Sequence, residues 1–334
     1  MKTIKIKFVD FWDHFDHHHN FILDILQKKY VVELSDQPEY VFFSNFGDRM
    51  DHLQYDNCVK IFYTQENLTP DFNLCDYGIG FEYMDYEDRF FRYPLFYYRY
   101  QIDFRLMAQK HLFCEEEFAV RDKFCSMIVS NGLNADSIRN DFFEALSQYK
   151  KVDSGGRYKN NIGRPNGVPN KRKFQEKYKF ALCFENTSRT GYTTEKIIEA
   201  FAAGTVPIYW GDPRIEEVFS KDSFINVMDF KSMSEAISKI VEIDQHDELY
   251  TKMLKTPALL HPEKDSLEIV NTNFEQFLFH IFEQPYEKAF RRNRQYWGER
   301  YQKRYAQMRK SYLREEKIKD FFKIQNQFGR MSKI

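Results

Sequence analysis

The sequence predicts an α/β fold built on parallel sheets, and three observations carry that expectation. Residues 179–211, KFALCFENTSRTGYTTEKIIEAFAAGTVPIYWG, read as strand, turn, helix and strand. Short apolar runs alternate with helical patterns over most of the chain. A length of 334 residues with 43% hydrophobic content suffices for two ordinary domains.

Taken in order, Thr3–Val9 alternates lysine with apolar residues, as a strand with one buried face does. A helix is expected near His19–Lys29, followed by strands at Glu39–Ser44, Val59–Tyr63 and Tyr77–Phe81. Residues 83–117, dense in Tyr, Phe and Arg and ending in Glu115-Glu116-Glu117, read as a loop-rich link. A second region opens with a strand at Phe124–Ser130 and a helix at Asp136–Tyr149. Residues 153–170, DSGGRYKNNIGRPNGVPN, crowd Gly, Pro and Asn and read as a loop, either one that orders on an anion or a plain surface connection. Helical spacing returns at Lys231–Ile243, Leu249–Leu259 and Leu267–Phe282.

The segment 179–211 is the most informative. Lys179–Phe184 and Val206–Trp210 are apolar runs of strand length. Between them Thr193 or Thr194 caps a helix, Ile197, Ile198, Phe201 and Ala202 form its apolar stripe, and Gly204 ends it. This is a βαβ crossover, and ligands of such sheets bind beyond the carboxyl ends of the strands, here at Glu185–Thr194. The helix start offers free amides and a partial positive charge, to which Lys196 adds a full one, a pattern suited to a diphosphate. The turn carries only Gly191, which excludes a P-loop and a dinucleotide fingerprint.

FEN (Phe184–Asn186), TEK (Thr194–Lys196) and PIYWG (Pro207–Gly211) together resemble the donor-site signature of family-10 α-1,3-fucosyltransferases, particularly the bacterial members. The likeness extends through SFINVMDF (Ser223–Phe230), KFCSMIVSN (Lys123–Asn131), VFFSN (Val41–Asn45) and FYTQENLTPDFNLCDYGIGF (Phe62–Phe81), spanning roughly residues 4–280.

The resemblance implies a glycosyltransferase-B architecture, two Rossmann-like domains facing across a cleft. Residues 1–117 would bind the acceptor, 118–280 would bind GDP-fucose, and 281–334 would supply a crossing helix and a basic tail. It implies inverting transfer of L-fucose to O3 of N-acetylglucosamine in N-acetyllactosamine-type glycans. Glu66 of YTQEN matches the general base. Lys196 matches the diphosphate ligand and Glu195 the ligand of sugar hydroxyls, while Glu185, Asn186 and Tyr192 line the nucleotide pocket. Where relatives carry an arginine followed by asparagine in the Gly-rich stretch before FEN, this chain has Lys159, with Arg157 nearby, so either cation is a candidate for the phosphate. Trp12 and His14 fall where the acceptor sugar is met. Two alternatives stay open: an inverting transferase for another nucleotide sugar, and a non-catalytic glycan-binding or membrane-scaffold protein.

Composition bounds the rest. No D-x-D triplet occurs, and the implied chemistry calls for no metal cofactor, a divalent ion being at most stimulatory. The cluster Asp13, His14, Asp16, His17, His18 and His19 is discounted as a metal site because three consecutive histidines cannot converge on one ion from a regular element. Five cysteines, none in CxxC spacing, read as reduced buried thiols. No segment approaches a membrane helix, and the amino terminus is unlike a signal peptide, so the expectation is a cytoplasmic protein, peripheral at most, of the bacterial branch. The total charge of −1 conceals an asymmetry: residues 287–334 carry a net +10 and residues 1–286 a net −11. In that tail Tyr301, Tyr305, Met308 and Tyr312 share one helical face, and Phe321, Phe322 and Ile324 form a small apolar cluster. The pattern suits an anionic membrane surface, or a helix packed back on the enzyme; nucleic acid is not an expected partner.

Overall fold

The computed structural model describes residues 1–110, 121–132, 135–292 and 295–331, with side chains through residue 319. Cys114, the triplet Glu115–Glu117 and the side chains of Phe321, Phe322 and Ile324 lie outside the described residues. The chain forms two compact units, one comprising Met1–Gly80, Met84–Phe91 and Phe274–Ile334, the other Phe81–Tyr83 and Arg92–Asn273.

The first unit holds a six-stranded sheet of β1 (Lys2–Val9), β2 (Tyr30–Leu34), β3 (Tyr40–Phe43), β4 (Val59–Tyr63), β5 (Tyr77–Gly80) and β6 (Phe90–Arg92), in the order β2-β1-β3-β4-β5-β6. From β2 through β5 the pairing is parallel. In β1 the alternation seen in the sequence is realised, with Ile4, Ile6 and Phe8 buried. β3, β4 and β5 are buried on both faces, the usual state of a parallel sheet's interior. Helix α1 (Phe21–Leu26) is shorter than expected because Asn20 caps it, its side chain accepting from the amides of Ile22 and Leu23.

Residues 83–110 are not the loop-rich link expected. They carry α2 (Leu95–Arg99) and α3 (Gln101–Ala108), because Phe96, Tyr97, Phe104 and Met107 recur at helical spacing and are buried.

The second unit holds β7 (Lys123–Met127), α4 (Ile138–Tyr149), β8 (Val152–Ser154), α5 (Lys171–Gln175), β9 (Tyr178–Phe184), α6 (Glu195–Ala202), β10 (Val206–Trp210) and β11 (Ile225–Asn226). Its sheet runs β8-β7-β9-β10-β11, entirely parallel. In both units the second strand lies outside the first and the order reverses between the first and third, so each is a doubly wound, Rossmann-like sheet. The crossover read from residues 179–211 is present: β9 and β10 pair in parallel from Phe180 opposite Val206 to Phe184 opposite Trp210. Ile197, Ile198 and Phe201 of α6 are fully buried, and Gly204 ends the helix at φ 66°. Cys58, Cys75, Cys125 and Cys183 are buried free thiols.

Beyond the sheet come α7 (Met233–Gln245), α8 (Asp247–Lys255), α9 (Pro262–Asp265) and α10 (Leu267–Glu283), then α11 (Tyr286–Ala289) and α12 (Tyr296–Met331). The chain after Phe274 belongs to the first unit. There the amides of Arg291 and Arg292 donate to Asp76 Oδ1 at 2.8 and 2.7 Å, and the Arg292 guanidinium pairs with Asp76 Oδ2 at 3.3 Å, both side chains fully buried. Helix α12 docks on the same unit: Tyr301 donates to Asp71 at 2.8 Å, Gln302 to Asp56 at 2.7 Å and Arg309 to Asp51 at 2.5 Å. Tyr301, Tyr305 and Tyr312 lie on the half-buried face, whereas Met308 points away, 62% exposed.

Candidate functional site

In the second unit, β9 ends at Phe184 and the next residue, Glu185, is fully buried. Its carboxylate accepts from the Thr194 amide, the Thr194 hydroxyl and the Lys196 ammonium, each at 2.7 Å. Lys196 also donates to the Thr194 hydroxyl at 2.8 Å. Thr194 is the N-cap residue of α6 by position, yet its hydroxyl makes no capping bond; Glu185 supplies the acceptor from the neighbouring strand. Gly211 permits this closeness, since a Cβ there would lie 2.6 Å from Glu185 Cγ.

Electrostatics follow from that arrangement. Burial alone would pull the Lys196 ammonium down, but the Glu185 and Glu195 carboxylates hold it above the usual lysine range. Burial pushes Glu195 the other way, and Lys196 with Lys171 outweighs it, holding that carboxyl below its ordinary value. Lys171 stands 3.8 Å from Glu195 and 3.0 Å from Glu199.

The turn between β9 and α6 is fixed by Asp212. This buried carboxylate accepts from the Gly191 amide at 2.7 Å, the Thr193 hydroxyl at 3.2 Å and the Arg214 amide at 2.9 Å. Tyr192 is buried in the same turn, its ring edge-on to Phe81 at 5.1 Å.

Arg139, in the first turn of α4, is 1% exposed. Its guanidinium donates to Asn186 Oδ1 at 3.1 Å and to the Asn131 carbonyl at 3.0 Å, while Nε has no partner. Asn131 and Asn186 follow β7 and β9, the two strands between which the order reverses, so Arg139 sits at the switch point where such sheets take ligands.

The two cations expected for the phosphate lie on the loop after β8. Lys159, at φ 49°, pairs with Glu144, and Arg157 is exposed. Their loop is already tied down: the Tyr158 amide donates to the Val129 carbonyl at 3.0 Å, and Ser154 donates to the Tyr158 carbonyl at 2.9 Å. Gly156 is pressed against β7's end, where a Cβ would sit 1.9 Å from the Val129 oxygen.

In the first unit, Glu66 is exposed just beyond β4. Its amide donates to the Thr64 hydroxyl at 3.1 Å, and that hydroxyl donates to Asn45 Oδ1 at 2.6 Å, which binds the ends of β3 and β4 together beneath the carboxylate. Trp12, beyond β1, packs against Phe15 at 5.0 Å, Phe46 at 5.9 Å and Tyr63 at 6.5 Å. His14 is exposed at φ 69°. Asp16 accepts from the His18 and His19 amides at 2.8 and 3.0 Å, so the Asp/His cluster forms a local turn.

Comparison with known proteins is decisive at this point. Residues 6–100 match the Alpha-(1,3)-fucosyltransferase FucT N-terminal domain, and residues 118–268 match the Glycosyltransferase family 10 (fucosyltransferase) C-terminal domain. The chain belongs to glycosyltransferase family 10.

Within family 10, Alpha-(1,3)-fucosyltransferase FucT of Helicobacter pylori is 36% identical over 287 residues, 76% of this chain and 59% of that protein. The 4-galactosyl-N-acetylglucosaminide 3-alpha-L-fucosyltransferase 9 of Mus musculus is 33% identical over 137 residues, 40% of this chain and 37% of that one. The chain therefore spans well under two thirds of these curated relatives. A crystal structure of an alpha1,3-fucosyltransferase with GDP-fucose superposes with a TM-score of 0.67 at 30% identity, covering 86% of this chain and 93% of that one. The fold is thus the glycosyltransferase-B class of two Rossmann-like domains.

The second unit brings together Glu185, Thr194, Glu195 and Lys196, and beside them Asn186 with Arg139. Two of its residues escaped sequence reasoning. Asp212 follows the PIYWG string directly, and a buried turn that must be held by a carboxylate was its signal. Arg139 lies in an unremarkable polar helix start, and only the strand order reveals its place.

Proposed function

We propose that the chain transfers L-fucose from GDP-fucose to O3 of N-acetylglucosamine in N-acetyllactosamine-type glycans, with inversion at the anomeric carbon. The observation that carries the reading is the convergence of Lys196, the start of α6 and buried Arg139 at the carboxyl ends of β7 and β9. Two fixed cations and a helix N-terminus suit a leaving diphosphate. Resemblance to the GDP-fucose-bound fucosyltransferase supports the choice of nucleotide sugar.

In this mechanism Glu66 takes the proton of the acceptor O3–H as that oxygen attacks C1, and the bond from C1 to the diphosphate oxygen breaks. GDP departs with its added negative charge met by Lys196, Arg139 and the α6 amides. Glu195 holds sugar hydroxyls, Asn186 and Tyr192 line the nucleotide, and Trp12 with His14 meets the acceptor. Asp212 keeps the turn in shape. Because the protein's own cations face the diphosphate, the proposal includes no required metal. Buried Arg139 is preferred as the second phosphate ligand to Lys159, which Glu144 engages, and to Arg157, which is exposed.

Incubation with GDP-fucose and N-acetyllactosamine, with the linkage read by NMR, tests this. An α-1,3-fucosylated product is expected; turnover only with another nucleotide sugar, or none, overturns it.

The outward face of α12 favours contact with an anionic membrane surface. Tyr296 and Trp297 are 67% and 70% exposed, and Arg300, Lys303, Arg304, Lys310, Arg314 and Lys317 are exposed along the helix. No described helix is long and apolar enough to cross a membrane. Truncation at residue 287 would strip Arg292 from Asp76, so the fair test substitutes Trp297, Arg304 and Lys310 by alanine. Unchanged sedimentation with anionic vesicles would dismiss the contact.

A further inference from the structure

We propose that Arg309, on α12, is a positioning residue for the acceptor side of the site, acting through Asp51 and Asp10 on the segment that carries Trp12. This rests on the reading that Trp12 meets the acceptor sugar.

Arg309 reaches the loop after β3 with two donors: Nη2 to Asp51 Oδ1 at 2.5 Å and Nε to the Arg49 carbonyl at 2.7 Å. Its side chain is 13% exposed and that of Asp51 37%, so the ion pair is partly shielded from water. Asp51 opens a single 3₁₀ turn, Asp51–Gln54, whose preceding residue, Met50, supplies no side-chain cap. The cap comes from Asp10, the first residue past β1. Its carboxylate accepts from the amides of Asp51 and His52 at 2.8 and 2.9 Å and contacts His52 Nδ1 at 2.7 Å.

The chain wraps Asp10 closely. Phe46 donates its amide to the Asp10 carbonyl at 3.0 Å, and a Cβ at Gly47 would stand 2.0 Å from Asp10 Oδ1. Asp10 is at φ 59°, in the left-handed region that few residues with a Cβ adopt and that Asp tolerates better than most. Five non-glycine residues have positive φ among the described residues, and Asp10, His14 and Met50 of these two segments are three of them. Two residues after Asp10 comes Trp12, edge-on to Phe46 of the same loop. The left-handed bend two residues before Trp12 is therefore held by a loop, and Arg309 clamps that loop from outside.

A plain structural staple would lower stability and leave the kinetics of the folded enzyme unchanged. A positioning residue changes the acceptor KM selectively. For Arg309→Ala the acceptor KM should rise roughly three- to tenfold, with kcat within about twofold and GDP affinity unchanged. Arg309→Lys should recover part of the loss, because an ammonium can reach Asp51 but cannot hold the Arg49 carbonyl in the same geometry. Asp51→Asn should move KM in the same direction and serves if Arg309→Ala does not fold. Trp12→Ala, measured in parallel, should raise the acceptor KM at least as much. If Trp12→Ala raises it while Arg309→Ala and Asp51→Asn do not, the relay is wrong and the acceptor reading stands. If Trp12→Ala leaves it unchanged, the acceptor reading fails and the relay with it. A joint fall in kcat and GDP affinity in Arg309→Ala would mean general loosening and would also overturn the proposal.

Discussion

The Glu185 carboxylate and the Lys196 ammonium are 2.7 Å apart at the start of α6, one fully buried and the other 19% exposed. The helix start thus holds an anion of the protein's own, and Lys196 is aimed by it.

Lys196→Ala should therefore do two separable things. It leaves Glu185 buried without its counter-charge, at a cost of about 2–4 kcal/mol in urea unfolding, scaled down from a wholly buried pair because Lys196 is partly wet. It also removes the proposed diphosphate ligand, so calorimetry should find GDP bound at least roughly tenfold more weakly. Adding Glu185→Gln should restore most of the stability and none of the GDP affinity.

Arg139→Lys keeps the charge but cannot bridge the Asn131 carbonyl and Asn186 while presenting a third donor. GDP affinity should fall by about tenfold, a loss of one to two charge-assisted hydrogen bonds. An unchanged dissociation constant would remove Arg139 from the donor site.

Glu66→Gln alters an exposed side chain, so unfolding midpoints should not move. Transfer should slow by roughly 10²–10⁴-fold while GDP still binds, the loss expected of a general base. Near-wild-type turnover would assign the proton to another group.

Glu199 supplies a pH signature. Burial raises its carboxyl from 4.5 to about 7, against the pull of Lys171. Between those values the folded protein holds a proton that the unfolded chain has released, so stability falls as pH rises across the window. Glu199→Gln abolishes that fall. Relative to wild type, the variant should gain about 1–3 kcal/mol on going from pH 5 to pH 8 in urea unfolding. A constant difference would mean that Glu199 titrates normally.

The crossover β9–α6–β10 was legible because its three periodicities lie within one short stretch and its caps and breaks use residues of strong preference. Strands β8 and β11, of three and two residues, were not legible, since so few side chains cannot display a period; their pairing with β7 and β10 makes them strands. β2 was lost for a different reason: as an outer strand it buries only Tyr30 and so lacks an apolar stripe. At the site, Lys196 declared itself through its position in a helix start. The direction in which Lys159 points depends on Glu144, fifteen residues earlier in chain order and across a helix, which no local pattern records. Arg139 is the converse case, ordinary in sequence and significant only through strand order.

Asp76 enters the interior on β5's approach, where the Lys60 amide donates to it at 2.6 Å, yet its guanidinium partner and two further amides come from Arg291 and Arg292. In chain order the first sheet is thus complete in strands long before its buried carboxylate meets its guanidinium partner. The first unit's interior is therefore completed only about two hundred residues after β6, when Arg291 and Arg292 have been made.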